Sequence, residues 1–348
     1  MLRIVDANLN RIGEGLRLLE DITRFILNDA ELSEELKALR HGLLPTDRSM
    51  QKRLLHARKA EEDVGAFLES ESEAERADAV SLVSANSRRV QQSLRVLEEV
   101  AKIHGQELGL DWDKFKHARF NLYVLEQRIV LKLVRQQKKA KISGLYVIVD
   151  AEVLKGRSEV EAARQAIQGG ARVIQLRDKL RPKGMLVPLA QELKKVCAEN
   201  DVIFIVNDYP DLAIASDADG LHIGKDDLPF ELARKMLPVD KIIGCSSATV
   251  EEALQAEKQG ADYIAVGSIF PTPTKPQTKL AGLKLLKQVK NSVTAPVVAI
   301  GGINEDNITD VVEAGANAVA VISAALSVDD VKKACQRLTG IINRGSAR

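Results

Sequence analysis

Eight short apolar runs in the second part of the chain constrain its fold more than any other feature. They recur at intervals of roughly 25 residues and are separated by helix-like segments. The runs are 144–149, 173–177, 203–206, 220–223, 241–244, 263–267, 297–301 and 318–322. Three of them follow a Gly-Ala pair, at Gly170, Gly260 and Gly315, which is typical of a turn that ends a helix before a buried strand.

Eight strand–helix units within about 205 residues predict a compact (β/α)₈ TIM barrel. The alternative fold is an open, doubly wound parallel sheet. That fold usually needs fewer strands, and the Gly-x-Gly-x-x-Gly turn of a dinucleotide site does not follow the first run. The barrel is therefore the favoured fold.

The composition changes near residue 140. The first part has one proline, Pro45, and six glycines, whereas the remainder has nine prolines and sixteen glycines. Both residue types destabilise helix interiors, so the first part should be helical. We predict an all-α domain over residues 1–140 and the α/β barrel over 141–348.

The helical part contains an internal repeat. Residues 6–22 align without gaps on residues 84–100, with seven of seventeen positions identical. The repeat predicts helix starts near Asp6 and Ser84, and an antiparallel bundle with pseudo-twofold symmetry, closed by a long helix around 113–138. The repeated polar residues are Asn8, Arg11, Arg17, Glu20, Asn86, Arg89, Arg95 and Glu98. They indicate either helix caps with Arg–Glu pairs or a symmetric anion pocket or dimer surface, and no function follows for this domain.

The charge balance argues against polyanionic partners. Lys and Arg total 50 against 49 for Asp and Glu, so we expect small-molecule substrates and neither nucleic acid nor membrane. No apolar run approaches the ~18 residues of a membrane span. Charged residues near the N-terminus disfavour a signal peptide, and three cysteines without metal-ligand spacing indicate reduced thiols. A cytoplasmic location is expected, and a homodimer is compatible with the sequence.

Polar residues follow the predicted strands where barrels carry their active sites, at the carboxyl ends. They are Gln175, Arg177 and Lys179 at strand 2, Asn207 and Asp208 at strand 3, Lys225, Asp226 and Asp227 at strand 4, Ser246 and Ser247 at strand 5, Thr272, Thr274 and Lys275 at strand 6, Gly301 and Gly302 at strand 7, and Ser323 at strand 8. Alternation along strand 2 places Gln175 and Arg177 on one side, towards the lumen.

These residue types indicate a site for two anions. Carboxylates on neighbouring strands, Asp208 and Asp227, suit Mg²⁺, and the nearby cations suit a diphosphate. The glycines of strand 7 and Ser323 lie where barrels commonly bind a phosphate. No Ser-His-Asp or Cys-His set is visible. His222, inside strand 4, is expected to pack or to support other residues, and Lys179 and Lys275 to contact phosphate rather than form Schiff bases.

Residues 144–323 resemble the thiamine-phosphate synthase family of barrel enzymes. The matching motifs are Gln175-Leu-Arg-Asp-Lys179, Asn207-Asp208, Gly220-Leu-His-Ile-Gly-Lys-Asp-Asp227, Gly244-Cys-Ser246, Ala261-Asp-Tyr-Ile264, Phe270-Pro-Thr-Pro-Thr-Lys275, Ile300-Gly-Gly-Ile303 and Ile322-Ser323. They span the barrel in order. The helical part resembles an N-terminal extension, of unassigned function, found on some bacterial members. Lys225 stands where the family commonly has Gln, and Ala248 where it often has His.

The resemblance implies a transferase of thiamine biosynthesis. It would join 4-amino-2-methyl-5-(diphosphooxymethyl)pyrimidine to a (carboxy)thiazole phosphate and release diphosphate, with Mg²⁺ as cofactor. Carried over by position, Gln175 would bind the pyrimidine and Asp208 and Asp227 the metal. The diphosphate would be bound by Asn207 and by four catalytic residues, Arg177, Lys179, Ser246 and Lys275; the thiazole phosphate would be bound by Thr272, Thr274, Gly302, Ile322 and Ser323.

Two other functions remain open on the same barrel. A thiazole tautomerase would keep the thiazole phosphate loop but lack both the paired Asp and the Gln-x-Arg-x-Lys run. A ligand-sensing regulator would use the helical domain as its output, and would have no use for both metal and diphosphate residues.

Overall fold

The computed structural model describes residues 1–58, 61, 77–272 and 280–346. The chain divides into two compact units, Met1–Val134 and Arg135–Arg348. The division falls within one long helix, Trp112–Ala140, which begins in the first unit and ends in the second.

The first unit is all-helical. Its helices are α1 (Leu2–Phe25), α2 (Ala30–Leu43), α3 (Arg48–Ala57), α4 (Ala79–Leu108) and α5 (Trp112–Ala140). Apolar residues at helical spacing, such as Ile12 and Leu16 on α1 and Val90 and Leu94 on α4, are fully buried in one core. The α1 backbone approaches α4 closely at Gly15, where an added Cβ would lie 2.4 Å from Cγ2 of Val90. The predicted long closing helix corresponds to α5.

The helix starts predicted from the repeat are wrong. Asp6 and Ser84 lie inside α1 and α4, and the latter begins instead with a capping box between Asp78 and Ser81. Asp6 accepts hydrogen bonds from the guanidinium of Arg58. The side-chain amides of the two repeated asparagines donate to backbone carbonyls four residues earlier, at Ile4 and Leu82. In the sequence these residues look like helix caps, but in the structure their hydrogen bonds form within the helices.

Two buried glutamates carry most of the polar contacts of the repeat. Glu20 pairs with Arg17 at 3.1 Å and with Arg40 at 2.9 Å. Glu98 pairs with Arg95 at 2.8 Å and with Arg119 at 3.0 Å. The Arg–Glu pairs three residues apart therefore form, although both carboxylates are buried rather than solvated. The symmetric anion pocket or dimer surface stays a prediction.

In the part of the chain that the structure describes, eight parallel strands close into a barrel in the order β1 to β8, with β8 paired to β1. The strands are β1 (Gly144–Asp150), β2 (Ala171–Arg177), β3 (Ile203–Asn207), β4 (Gly220–Ile223), β5 (Ile242–Ser247), β6 (Tyr263–Val266), β7 (Val297–Ile300) and β8 (Ala318–Val321). The (β/α)₈ prediction is confirmed, and the open sheet is not formed.

Helices cover the outside of the barrel. They are α6 (Ala151–Leu154), α7 (Glu159–Gln168), α8 (Lys183–Glu199), α9 (Pro210–Ala215), α10 (Phe230–Met236), α11 (Val250–Gln259), α12 (Gly282–Ser292), α13 (Ile308–Glu313), α14 (Ser323–Leu326) and α15 (Val331–Ser346). The Gly-Ala turns form as expected, because Gly170, Gly260 and Gly315 all have φ near +95° (97°, 98° and 93°).

Alternation along the strands sorts side chains into two cores. Leu145, Val147 and Val149 of β1 pack outwards against the helices. Tyr146 and Ile148 point into the lumen, where they meet a second core that contains Val173, Ile205 and Tyr263. The lumen is filled at its base, so a site can open only near the mouth.

The three cysteines, Cys197, Cys245 and Cys335, are free and buried, and burial raises the pKa of each thiol to about 12. Among the helices of the described residues, none is long and apolar enough to cross a membrane.

Asp262 is a buried carboxylate that connects the starts of β5 and β6. It lies just before β6, accepts a hydrogen bond from the Ile243 backbone N–H at 2.8 Å, and pairs with Arg135 at 2.9 Å. Both partners lie in the barrel unit. Removing this carboxylate would leave the buried Ile243 N–H without its acceptor, and Arg135 with the Gly260 carbonyl but no counter-charge from Asp262.

We expect Asp262→Ala to lower the free energy of unfolding of the barrel unit by about 3 to 5 kcal/mol. Calorimetry of the purified protein measures this as a lower melting temperature. Glu305→Ala is the matched control, because Glu305 pairs with Arg337 on an exposed surface and its loss should leave the melting temperature unchanged. Equal effects of the two substitutions would contradict the structural role of Asp262.

Candidate active site

A cavity of about 690 Å³ opens at the carboxyl ends of the barrel strands. The predicted site residues that the structure describes all line it. They are Gln175, Arg177, Lys179, Asn207, Asp208, Asp227, Ser246, Thr272, Gly302, Ile322 and Ser323. Thr274 and Lys275 lie outside the described residues. Ser246 and Ser247 belong to β5 itself rather than to the loop after it.

Two carboxylates face each other at the ends of β3 and β4. Asp208 has a left-handed backbone (φ 63°), and its N–H donates to the carbonyl of His222. Asp227 accepts a hydrogen bond from Gly224 N–H at 2.7 Å. Lys179 reaches across from β2 and places Nζ 3.0 Å from Asp208. The neighbouring strands thus bring the predicted acidic pair together.

The two carboxyl groups contact each other, and their pKa values are shifted in opposite directions. Burial and the adjacent Asp227 raise the pKa of Asp208 above its usual value. Burial also opposes ionisation of Asp227, but hydrogen bonds from Asp208 and from Gly224 N–H outweigh it and lower the pKa of Asp227. Two adjacent carboxylates that are both ionised repel each other unless a cation or a proton lies between them. Within the described ranges no group of three or more His, Cys, Asp or Glu side chains could hold a metal, so the pair supplies two protein ligands at most.

Arg177 is held by an acid that the sequence interpretation missed. Asp150, at the end of β1, is 1% exposed and forms an ion pair with Arg177 through Oδ2. Its other oxygen accepts hydrogen bonds from the N–H groups of Glu152 and Val153 at the start of α6. The sequence signal that could have identified Asp150 was an Asp at the end of an apolar strand, next to the strand that carries Arg177.

A file of five hydrogen-bonded side chains crosses the lumen below the cavity. The Gln175 amide donates to the hydroxyl of Tyr146 at 2.9 Å, and the hydroxyls of Tyr146 and Tyr263 lie 3.1 Å apart. His222 continues the file, with Nδ1 3.1 Å from the Tyr263 hydroxyl and Nε2 3.0 Å from Oγ of Ser246. His222 therefore supports another site residue, as the sequence suggested.

Both tyrosines of this file were missed as site residues. They lie in apolar strands, where aromatic residues usually mark packing. A buried phenol nevertheless needs a hydrogen-bond partner, and partners on other strands cannot be identified from the sequence alone.

The ring of Tyr263 fits because residue 244 has no side chain. A Cβ built on Gly244 would lie 1.9 Å from Cζ of the ring. The ring also stacks on His222, with centroids 5.6 Å apart and planes 22° apart. The Tyr263 ring can therefore pack in this file only because the first residue of the Gly244-Cys-Ser246 motif is a glycine.

The other side of the cavity is formed mainly by backbone. The chain after β6 pairs with the end of β7, since Ile269 N–H donates to Ile300 and Phe270 N–H to Gly301. The Asn307 side chain donates to the carbonyl of Gly302 at 3.0 Å. Thr272 follows on this segment, and Ser323 begins α14 across the cavity.

The two departures from the family pattern meet at one edge of the cavity. Nζ of Lys225 lies 3.3 Å from Glu252, and the same carboxylate accepts a hydrogen bond from Ala248 N–H at 2.7 Å. Glu252 therefore connects the two positions, Lys225 and Ala248, that differ from the family motif.

Comparison with known proteins gives consistent matches. A family model described as thiamine monophosphate synthase matches residues 145–325, and one described as the ThiD2 family matches residues 3–128. The thiamine-phosphate synthase of Synechocystis sp. is 39% identical over 343 residues, which are 98% of this chain and 96% of that protein.

Two shorter relatives match the barrel length. The thiamine-phosphate synthase of Clostridium tetani is 43% identical over 199 residues, which are 57% of this chain and 95% of that protein. A solved thiamine phosphate pyrophosphorylase from Pyrococcus furiosus has a TM-score of 0.56 and 42% identity, covering 60% of this chain and 98% of that chain. These relatives have little room for a counterpart of the helical unit.

We expect Gly244→Ala to displace Tyr263 and to destabilise the barrel unit by more than about 2 kcal/mol, because the added methyl group overlaps the ring. Calorimetric melting of the variant measures the loss. Gly184→Ala in α8 is the control, since an added Cβ there meets nothing within 4 Å. A melting temperature for Gly244→Ala equal to that of the control would show that the ring can move without cost.

Proposed function

The chain belongs to the thiamine-phosphate synthase family, and we propose that it joins an aminopyrimidine methyl diphosphate to a (carboxy)thiazole phosphate, releasing diphosphate. The observation that carries the proposal is the composition of the cavity. One amide, two cations and a pair of adjacent carboxylates converge there from three neighbouring strands. A cytoplasmic location and a homodimer stay predictions.

Asp208 and Asp227 fit a divalent cation. Burial and the neighbouring Asp227 raise the pKa of Asp208, so a cation between the two carboxylates would favour the ionised form of both, and oxygen ligands are those that Mg²⁺ prefers. We infer that these two residues would hold Mg²⁺, which supplies positive charge to the oxygens of the bound diphosphate. Lys179, which pairs with Asp208 in this structure, is placed to contact the same anion.

The diphosphate would lie against the charged side of the cavity. Arg177 and Lys179 supply fixed positive charge, and Asn207 and Ser246 supply neutral donors. Asp150 orients Arg177 and keeps its guanidinium from folding away into solvent. Lys275 is proposed as a further cation from the family motif.

The thiazole phosphate would occupy the opposite side, formed by Gly302, Ile322, Ser323 and Thr272, with Thr274 proposed from the motif. Backbone N–H groups and hydroxyls bind a phosphate without adding charge close to the diphosphate site. This arrangement would hold the two substrates on either side of the pyrimidine methylene carbon.

The proposed chemistry needs no protein nucleophile. The bond between the methylene carbon and the diphosphate oxygen breaks, and its electron pair leaves with the diphosphate. The thiazole nitrogen then donates its lone pair to the carbon. Arg177, Lys179 and Ser246 stabilise the growing negative charge on the leaving group, while Gln175 orients the ring. The cavity walls exclude water, which would otherwise compete with the thiazole.

Purified protein supplied with both substrates and Mg²⁺ should form thiamine phosphate, and Asp208→Asn should lower kcat/KM about a hundredfold or more, because the charge that holds the cation is lost. Chromatographic detection of thiamine phosphate measures the rate. Asp211→Asn, at an exposed carboxylate paired with Lys183, is the matched control and should keep full activity. An Asp208→Asn enzyme as fast as the control would refute the metal assignment, and inactive wild-type protein would refute the synthase proposal.

Asp150→Asn tests how Arg177 is positioned. The amide can still cap α6, but it cannot neutralise the guanidinium. We expect kcat/KM for the pyrimidine diphosphate to fall about tenfold and the melting temperature to fall as well, because the buried guanidinium loses its counter-charge. Steady-state kinetics beside calorimetry separates the two effects. A loss of stability without a kinetic change would make Asp150 a purely structural residue.

A further inference from the structure

We propose that the file Gln175–Tyr146–Tyr263–His222–Ser246 couples recognition of the pyrimidine to hydrogen-bond donation by Ser246 towards the leaving diphosphate. The inference rests on the proposed function, and it assigns positioning roles to Tyr146, Tyr263 and His222. The file links β2 to β5 across the lumen, so its two ends reach opposite parts of the same cavity.

The two tyrosines in the middle of the file are buried. Tyr146 is 2% exposed and Tyr263 is fully buried. Burial raises the pKa of both phenols, so each hydroxyl keeps its proton at any working pH. A hydroxyl with one proton can donate once along the file. With His222 in its neutral form, the imidazole donates from one nitrogen and accepts at the other. The direction of each hydrogen bond therefore fixes the direction of the next.

Two directions are possible, and they differ at Ser246. When the Gln175 amide N–H donates to Tyr146, the proton order continues to Tyr263 and then to Nδ1 of His222. Nε2–H of His222 donates to Ser246, whose own proton is then free to point into the cavity. In the reverse order, the Gln175 amide oxygen accepts from Tyr146 and Ser246 must donate to His222. Only the first order gives an anion in the cavity a hydrogen bond from Ser246.

The substrate selects between the two directions through the Gln175 amide. In the first order the amide oxygen is the atom left for a ligand, and an amino group on the pyrimidine is a donor that matches it. A bound aminopyrimidine therefore stabilises the orientation in which Ser246 donates. Such a donor is worth most when the diphosphate oxygen gains charge, so the coupling should act on kcat more than on KM.

Tyr263→Phe interrupts the file without removing the ring that packs on Gly244 and His222. We expect kcat for thiamine phosphate formation to fall about fivefold to tenfold, the value of one well-placed hydrogen bond. Ser246→Ala should cost about a hundredfold. In the double variant the tyrosine change should have no further effect, to within about twofold, because its influence passes through Ser246. Tyr123→Phe, on α5, is the matched control and should match wild type.

Product inhibition gives a second readout. Inorganic diphosphate, with Mg²⁺ present, should inhibit Tyr263→Phe more weakly than wild type, in the same direction as Ser246→Ala. Tyr146→Phe breaks the file one link further away and should reproduce both results, which keeps the test decisive if Tyr263→Phe does not fold. Multiplicative losses in the double variant, with an active wild-type enzyme, would overturn the coupling alone. An inactive wild-type enzyme would overturn the proposed function instead.

Discussion

The hydrogen bond between the hydroxyls of Tyr146 and Tyr263 is the interaction on which the site depends most. It closes the lumen beneath the cavity and connects β1 to β6. In a closed parallel barrel, a polar atom at this depth has no water to bond with, so its partner must come from another strand. Gln175 and His222 supply those partners, and the file then ends at the Gln175 amide and the Ser246 hydroxyl, in two residues that line the cavity. The packing of the barrel thereby fixes the orientation of residues that a ligand would meet.

The neighbouring carboxylates follow a different rule. Two adjacent carboxylates repel each other when both are ionised, and Asp208 also adopts a left-handed backbone conformation. Features that cost stability are expected where a protein binds or reacts, because the ligand supplies the missing interaction. Asp150 and Arg177 represent the compensated case, in which a buried acid and a base neutralise each other and stay in place.

The sequence predicted the barrel and the members of the cavity because both depend on short-range patterns. Recurring apolar runs identified the strands, Gly-Ala pairs marked the turns, and strand ends identified Asp208 and Asp227. Partners on other strands could not be predicted from these patterns, because Asp150, Tyr146 and Tyr263 contact the site residues only once the strands are paired. Helix starts in the first unit were misplaced for a similar reason, since Asp6 satisfies Arg58 rather than a helix end.

The buried glutamates of the helical unit and the paired carboxylates at the barrel mouth differ in how far their charge is neutralised, and this difference bears on where a ligand would bind. In the helical unit, Glu20 and Glu98 each meet two arginines, so their charges are neutralised within the protein. In the barrel, Asp208 and Asp227 meet each other and a single lysine, Lys179, which leaves a demand for further positive charge. Groups already neutralised stabilise a fold, whereas incompletely neutralised groups favour a ligand. The charge distribution thus points to the barrel mouth as the reactive centre and gives the buried glutamates of the helical unit a structural role.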